Sequence, residues 1–310
     1  MNLDSEYREG YLVSAEMKKV WAVELDLLKK LVDICKKHDL RVWIEGGTLL
    51  GAVRHQGFIP WDDDIDVSMP RPDYEKLKLI CAEELEAPYF LQTAYNDEHY
   101  CCGHAQLRNS NTTGVRPSDC YRPYNQGIFI DIFILDGIPD DMAERKQLFK
   151  EVHRRLCRLK SIDYPILISG RLGLLFRKWW WRRKVSKYGF ANLYKYVDDL
   201  LLQHSWENSQ RVGYVCFGNE NFVWDKHIYD HTAMLSFEGM QVPAPAGYDV
   251  YLKQVYGPNY MTPVQCPNMH GTVVFDTERC YRERMPEIRR AYRRSAMRRL
   301  WLKIKKCKSK

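Results

Sequence analysis

The sequence lacks any apolar stretch long enough to span a bilayer, any internal repeat and any low-complexity linker. A transmembrane helix needs about 20 consecutive apolar residues, so we expect no membrane-spanning segment. The first ten residues, MNLDSEYREG, are polar and acidic, unlike a signal peptide. The ten cysteines have no paired spacing, and without an export signal we expect reduced thiols. These absences predict a cytoplasmic protein.

The composition is ordinary for a folded chain, with 45% hydrophobic and 28% charged residues among 310. A chain of this length forms one large or two small domains and can bury a sizeable core. The net charge of +7 indicates an anionic partner. A nucleotide, a phospholipid surface and nucleic acid all satisfy that charge.

A predicted strand, a glycine pair and a predicted helix follow one another after residue 41. Residues 42–45 are rich in β-forming side chains. Gly46 and Gly47 end that strand and, lacking Cβ atoms, allow close backbone approach to a ligand. Thr48 then starts the short helix TLLGAVRH, at or near its N-cap. Free N–H groups at a helix N-terminus bind anions, so this unit predicts a phosphate site.

The next run, DDDIDVSM, predicts a strand with an acidic face. Asp64, Asp66 and Ser68 alternate with apolar residues, while Asp62 and Asp63 are assigned to the preceding loop. Two carboxylates on one face repel each other unless a cation lies between them. Mg²⁺ and Mn²⁺ favour carboxylate oxygens. The alternative is a solvated acidic turn, which the preceding strand–glycine–helix unit disfavours.

A third informative stretch, GIFIDIFIL at residues 127–135, predicts a central strand because it is apolar on both faces. Asp131 is its only charge. Burying a bare carboxylate costs several kcal/mol unless it is paired or bound to a metal. Asp131 is therefore either a third carboxylate of the acidic site or half of a salt bridge to an arginine.

The string WIEGGTLLGAVRHQGFIPWDDDIDV resembles the LicD family of phosphocholine transferases, to which the fukutin-related proteins are more distantly related. Its glycine pair with a hydroxyl residue, followed by acid–apolar–acid, resembles the nucleotidyltransferase superfamily pattern. The weaker resemblance extends from about Trp43 to the region of Gly271. It implies an α/β (α+β) fold: a small mixed sheet flanked by helices, with a helical C-terminal extension. Residues 1–140 would form the N-terminal helix and catalytic core, and residues 141–310 a mostly helical, basic and aromatic part of the same domain.

The resemblance also implies a reaction: metal-dependent transfer of phosphocholine from CDP-choline to a hydroxyl of a lipopolysaccharide, teichoic-acid or capsule precursor, with release of CMP. The acceptor is expected to be lipid-linked. The implied catalytic residues, which would also hold Mg²⁺ or Mn²⁺, are Asp64, Asp66 and Asp131. The implied substrate-binding residues are Gly46, Gly47, Thr48, Arg54 and Arg108.

Two other function classes stay open. The chain could transfer from another CDP-alcohol (ribitol, glycerol or ethanolamine) or move a nucleotidyl group from an NTP. It could also be an inactive membrane-associated binding module, which the intact acids at positions 64, 66 and 131 disfavour. From chemistry alone, Arg108 could equally be a surface charge.

Smaller features suggest further ligands. Glu238 could hold a choline-like cation, although a loop cap is favoured. A second candidate is a zinc site, although the spacing of its residues matches no common zinc pattern. Its residues would be Cys101, Cys102, His104 and Cys120.

Two segments mix aromatic and basic residues, RLGLLFRKWWWRRKVSKYG at 171–189 and RRSAMRRLWLKIKKCKSK at the end. Such mixtures are typical of an anionic membrane surface, which would place the protein peripherally on the inner face of the cell membrane. A helix that buries its tryptophans explains the first segment equally well. A nucleic-acid patch is disfavoured, and we expect no nucleic-acid partner.

Further elements are predicted from periodicity and breakers. Helices are expected at residues 14–38, from Pro72 to about residue 85, and at 249–256 with Gly257 closing the last. Strands are expected at 89–92, 104–108 and 214–217.

Overall fold

The computed structural model of the protein describes residues 1–162, 175–265 and 272–308. Gly271, where the family resemblance fades, and residues 171–174 of the first aromatic–basic segment lie outside this part. Of the side chains from residue 299 onward nothing is described. The described elements form a mixed α/β fold, as predicted.

The elements before residue 140 build most of the central sheet. In chain order they are β1 (Glu6–Arg8), β2 (Tyr11–Val13), α1 (Ala15–Lys37), β3 (Trp43–Ile44), α2 (Gly46–His55), β4 (Asp66–Pro70), α3 (Arg71–Glu84), β5 (Tyr89–Gln92), β6 (Ala105–Asn109), β7 (Thr113–Val115) and β8 (Ile128–Ile138).

The remaining elements are more helical. They are α4 (Met142–Lys160), α5 (Leu175–Tyr188), α6 (Phe190–Leu201), β9 (Arg211–Gly213), β10 (Val223–Asp225), β11 (Thr232–Phe237), β12 (Met240–Pro245), α7 (Tyr248–Tyr256), β13 (Val274–Asp276) and α8 (Tyr281–Lys308).

Within the described residues, the main sheet has seven strands, and β8 is central to it. The path runs β10-β9-β8-β4-β3, and β6 joins β5 to β8. Only the β4–β8 pairing in this sheet is parallel. Its register sets Asp66 beside Asp131, and the antiparallel β6 sets Gln106 on the other side of Asp131. These three side chains therefore share one face of the sheet.

The opposite face of the sheet is apolar. Val67, Met69, Ile130 and Ile132 are fully buried there, in one cluster with residues of α1 and α3. Helix α1 begins where predicted, since Ser14 Oγ accepts from the Met17 N–H at 3.2 Å. The hydrophobic effect thus fixes the sheet against its helices from behind and leaves the acidic face for other contacts.

Two local predictions are wrong. Helix α2 begins at Gly46 rather than Thr48, because the glycine pair, with Gly46 at φ +52°, forms its first turn. The Thr48 hydroxyl instead accepts from the Asp66 N–H at 2.9 Å. Residues 214–217 are not a strand: β9 ends at Gly213, and residues 215–217 form a 3₁₀ turn that closes at Gly218, φ +65°. A glycine in the left-handed region ends this run.

The C-terminal part packs around the glycine turn. The β11–β12 hairpin contacts β3 and α2, and α7 contacts α2. As predicted, α7 is closed by Gly257, which has φ +86°. Pro243 and Pro245 lie in β12 of a two-stranded sheet, where a missing N–H is tolerated.

Candidate active site

Asp66 and Asp131 form the centre of the candidate site. They are paired in register on the parallel strands β4 and β8, and the β4–β8 ladder begins with this pair. The Asp131 N–H also donates to the Ile65 carbonyl at 2.9 Å, which fixes the register there. The Asp66 Oδ1 atom is buried and has no hydrogen-bond partner. A buried carboxylate oxygen without a partner is costly unless a ligand or cation satisfies it.

Asp64 lies in the loop before β4, not on the strand as predicted. The alternation typical of a strand holds only from Asp66 onward. Before Asp66 the chain forms a turn, in which the Asp62 N–H donates to the Ile59 carbonyl at 2.9 Å. The negative charge of Asp64 nevertheless acts strongly on Asp66. The structure thus brings Asp64 and Asp66 together, through a loop rather than a shared strand face.

The loop itself contributes a cluster of acids. Asp62, Asp63 and Asp64 each offer a carboxylate oxygen within 4.8 Å of the others. Burial and the charges of Asp64 and Asp63 raise the pKa of Asp62 well above its ordinary range. Burial, Asp64 and Asp131 do the same for Asp66. Such mutual repulsion is relieved by a divalent cation, and this donor set of carboxylate oxygens fits Mg²⁺ or Mn²⁺.

The glycine pair lies directly against these carboxylates. A Cβ on Gly46 would come 3.2 Å from Asp66 Oδ2, and one on Gly47 would come 2.5 Å from Asp62 Oδ2. The free N–H end of α2 is therefore beside the acids, where its positive dipole favours negative charge. Thr48 lies in the same turn, so the structure places these three predicted substrate-binding residues at the site.

Asp131 is held by neutral and weakly basic partners. Gln106 Nε2 donates to Asp131 Oδ1 at 2.6 Å, and His104 Nε2 lies 3.1 Å from the same oxygen. Burial raises the pKa of Asp131, but His104, Arg116 and Gln106 outweigh it and hold the pKa below the usual range. Asp131 is thus an ionised acid at neutral pH, and its closest partners are an imidazole and an amide.

The two predicted arginines are not at the acids. Arg54 is in the last turn of α2, eight residues from Gly46 or about 12 Å along the helix, where its Nη1 donates to the Tyr260 carbonyl at 3.0 Å. Arg108 is buried, so the surface-charge alternative is wrong. Its Nε donates to Gln92 Oε1 at 2.6 Å and its Nη2 to Gln106 Oε1. Arg108 therefore orients the amide that holds Asp131.

Two buried glutamates near the acids escaped sequence reasoning. Burial, together with the charges of Asp64 and its neighbours, raises the pKa of Glu24 on α1 well above its usual range. A signal existed, because Glu24 occupies a position of the apolar stripe between Trp21 and Leu28. Burial also raises the pKa of Glu45, the residue before the glycine pair, to about 7. The hydroxyls of Tyr214, Tyr251 and Ser68 lie near that carboxyl and oppose the rise, but neither Glu45 oxygen has a hydrogen-bond partner of good geometry.

The other two candidate groups have structural partners. The Glu238 carboxylate binds the Arg8 guanidinium and accepts from the Phe58 N–H at 3.2 Å, so it caps a loop as favoured. Cys101 and Cys120 are buried in separate apolar clusters, and His104 faces Asp131. Across the described residues, the acids of the Asp62 loop are the group whose geometry suits a metal, not the cysteines.

Fold and site together present an acidic centre beside a strand–glycine–helix unit. Residues 39–134 match the family model described as LicD/FKTN/FKRP, nucleotidyltransferase domain. Residues 39–134, about a third of the chain, are therefore similar to the LicD, fukutin and fukutin-related protein family.

Individual relatives agree. The chain is 28% identical over 245 residues to the lipopolysaccharide cholinephosphotransferase LicD of Haemophilus influenzae, covering 76% of this chain and 88% of that protein. It is 36% identical over 103 residues to an uncharacterized protein of Rickettsia typhi, 31% of each chain. It is 46% identical over 39 residues to the human ribitol 5-phosphate transferase FKRP, which is 13% of this chain and 8% of that protein.

Proposed function

We propose that this protein is a LicD-type transferase that moves phosphocholine from CDP-choline to a hydroxyl of a lipopolysaccharide or related glycan precursor, releasing CMP. The supporting observation is the pair Asp66 and Asp131, in register on parallel strands, with the Asp62–Asp64 loop beside them. The similarity to a lipopolysaccharide cholinephosphotransferase over most of both chains supports the substrate class.

In this proposal Asp64, Asp66 and Asp131 hold Mg²⁺ or Mn²⁺. The unpartnered Oδ1 of Asp66 and the crowding of carboxylates support that assignment. A bound cation would neutralise the donor diphosphate and the charge that develops on the departing phosphate. The first turn of α2, with Gly46, Gly47 and Thr48, directs N–H groups toward the same place and would orient the donor.

The group transfer needs one proton acceptor. The acceptor hydroxyl oxygen forms a bond to the choline-bearing phosphorus, and the bond from that phosphorus to the CMP oxygen breaks. Asp131, ionised and held by Gln106, would take the hydroxyl proton on a carboxylate oxygen. His104, whose Nε2 is 3.1 Å from Asp131 Oδ1, would stabilise the negative charge of Asp131 before the proton is transferred.

The direct test is a donor panel with Mg²⁺ and a glycan acceptor extract. We expect CMP release and the largest rise in melting temperature from CDP-choline, compared with CDP-ethanolamine, CDP-glycerol and CDP-ribitol. CTP and ATP complete the panel. Release of pyrophosphate from an NTP, without CMP release from any CDP-alcohol, would assign nucleotidyl transfer instead.

CDP-ribitol is the second candidate donor. It is favoured by one observation, the 46% identity to a ribitol 5-phosphate transferase over 39 residues. The same panel decides the matter: a CDP-ribitol turnover well above that of CDP-choline would replace choline as the transferred alcohol.

A lipid-linked acceptor would place the protein on a membrane. No helix in the described residues is long and apolar enough to cross one. Helix α5 exposes Trp179 and Trp180 by 56% and 48%, whereas Trp181 packs against the α4–α6 cluster. The Lys184 Nζ lies 3.9 Å from the centroid of the Trp180 ring. Exposed tryptophans among cations favour the interface of an anionic bilayer.

Vesicles containing phosphatidylserine test this location. Trp179→Ser with Trp180→Ser, and separately removal of residues 298–310, should each weaken binding, most clearly at low salt. Tyr7→Ser, which removes an aromatic that is 74% exposed elsewhere, is the matched control. Equal binding by all variants would reject a membrane role for both segments.

A further inference from the structure

Two arginines lie over the ring of Phe129, which is two residues before Asp131 on β8. The Arg108 guanidinium carbon is 4.6 Å and that of Arg116 is 5.7 Å from the ring centroid. All three nitrogens of Arg108 donate hydrogen bonds, to Gln92, Gln106 and the Gly127 carbonyl. The buried Nε of Arg116 has no partner. Every guanidinium nitrogen of Arg108 is thus engaged by the protein, whereas Arg116 has a buried nitrogen that is not.

Arg116 borders a polar cleft next to the candidate site. Its walls include Tyr100, Gln106, Gln126 and Phe129. The Tyr100 hydroxyl and Gln126 Oε1 are also buried without a hydrogen-bond partner. Gln106 joins the cleft to the acids, because its amide donates to Asp131. Buried polar atoms are seldom left unpaired, so three of them around one cleft indicate a polar ligand group, and the cleft volume of about 20 Å³ fits a single group the size of one phosphoryl oxygen.

The charge of Arg116 persists beside the acids. Burial lowers the pKa of Arg116, but the charge of Asp131 and of other neighbouring acids outweighs burial and raises it overall. Arg116 lies over Phe129, which shares a sheet face with Asp131 two positions along β8, so its guanidinium is on the side of the carboxylates proposed to hold the cation. A ligand that contacts both a carboxylate-bound cation and a guanidinium must carry anionic oxygens, as a diphosphate does.

We propose that Arg116 binds a phosphoryl oxygen of the donor diphosphate, in the role that the family resemblance assigned to Arg108. The inference rests on the proposed function for the donor class. Arg108 then acts indirectly, by fixing Gln106. Arg116 lies between β7 and the turn at residues 117–119, outside the strand ladder.

Calorimetric titration with CDP and with inorganic pyrophosphate, both in Mg²⁺, tests the assignment. Arg116→Gln should weaken binding of each by at least about tenfold, the effect of losing a charge-assisted hydrogen bond. The affinity of Arg116→Lys for each probe should lie between those of the wild type and Arg116→Gln, because lysine keeps the charge but lacks the planar guanidinium. Arg122→Gln removes a nearby cation whose Nε already donates to Asp119 at 3.0 Å, and it should bind as the wild type does.

The outcomes separate this inference from the proposed function. Unchanged binding by Arg116→Gln, or no binding of either probe by the wild type, overturns the role of Arg116. Equal losses in Arg116→Gln and Arg122→Gln would also overturn it, because a general charge effect would then explain both. Wild-type binding of CDP that Arg116→Gln loses, without turnover of any CDP-alcohol, would support Arg116 and reject the transferase.

Discussion

Strand β8 carries two buried aspartates, Asp131 and Asp136, and their surroundings differ. The Asp136 carboxylate accepts from Arg71 through two bonds, Nε to Oδ1 at 2.7 Å and Nη2 to Oδ2 at 3.0 Å. Asp131 accepts from an amide and lies next to an imidazole, opposite a second carboxylate, Asp66. Both side chains are at most 4% exposed. Burial therefore does not distinguish a structural acid from a candidate catalytic one.

The partners do distinguish them. Asp136 has its charged partner within the protein, because Arg71 donates to both of its oxygens. Asp131 instead faces Asp66, whose pKa burial and the nearby acids raise well above its usual range, so this pair carries excess negative charge that a cation can relieve. The two acids lie five positions apart and so on opposite faces of the sheet. One face is closed by α3, from which Arg71 comes, and the other carries the acidic site.

The largest effect is expected at Asp66, the acid that makes Asp131 different from Asp136. Asp66→Ala should lower turnover by at least about a thousandfold, because it removes a carboxylate proposed to hold the cation that stabilises the transition state. It should also abolish most of the rise in melting temperature that Mg²⁺ produces. Steady-state CMP release and thermal melts with and without Mg²⁺ measure both.

An Asp66→Ala enzyme of normal activity would remove the acidic centre from the mechanism. Asp33→Ala is the control, because Asp33 is exposed on α1 and paired only with Lys29. It should leave both the rate and the Mg²⁺ response unchanged.

The second effect is on stability and concerns Asp136. Asp136→Asn removes the two short bonds to the buried Arg71 and leaves it with two acids at 3.4 Å, Glu75 and Asp198. Breaking a buried pair in this way costs about 3–5 kcal/mol. Urea unfolding should show that loss, while activity per folded molecule stays within about twofold, since surface and structural changes away from the site leave transition-state binding intact. A large fall in specific activity with unchanged stability would make Asp136 part of the site.

Sequence reasoning located the acids but could not distinguish their partners. The glycine pair, Asp64, Asp66 and Asp131 all follow from local patterns, and the structure brings them together. The alternatives for Asp131, a site acid or half of a salt bridge, stayed open because Arg71, His104 and Gln106 are distant in sequence. Pairing of that kind depends on strand order and register, which no local pattern encodes.

The same limit explains the arginines. Arg108 stood out because it precedes a polar loop, but its partners come from β5, β6 and the start of β8. The sequence shows Glu24 as a charged residue within an apolar helical stripe. Its closeness to the acidic loop depends on how α1 packs in the fold, which the local pattern does not give. Helices and central strands were predicted well, since burial periodicity is local. The strand predicted at 214–217 was wrong, because residues 215–217 form a 3₁₀ turn that ends at Gly218.

Glu45 offers a third environment for comparison, a buried carboxyl surrounded by hydroxyls. Its folded-state pKa of about 7 lies above the ordinary value of 4.5. The folded protein therefore binds this proton more tightly than the unfolded chain does. The resulting stability is complete below pH 4.5 and is lost as the pH rises through 7, by about 3 kcal/mol for a shift of this size.

Glu45→Gln cannot ionise and should not show that loss. Between pH 5 and pH 8, in EDTA, the free energy of urea unfolding of Glu45→Gln should fall by about 3 kcal/mol less than that of the wild type. Asp33→Asn, at a 58%-exposed position of α1 paired with the exposed Lys29, controls for charge removal. Parallel pH profiles of wild type and Glu45→Gln would mean that the hydroxyls keep Glu45 ionised.

The last prediction returns to Asp131 and sets it directly against Asp136. Asp131→Asn is nearly isosteric, and its nearest partners are Gln106 and His104 rather than an arginine pair. The metal-free fold should therefore lose less stability than in Asp136→Asn, because the lowered pKa of Asp131 makes its charge stabilising while its removal also relieves repulsion from Asp66. Turnover in Mg²⁺ should still fall by at least about a hundredfold, the lower range for loss of a general base. The measurements are a urea melt in EDTA and CMP release in Mg²⁺, made beside Asp136→Asn. Lost stability with retained specific activity in Asp131→Asn would make the two acids of β8 equivalent, and Asp131 would become a structural residue held by His104.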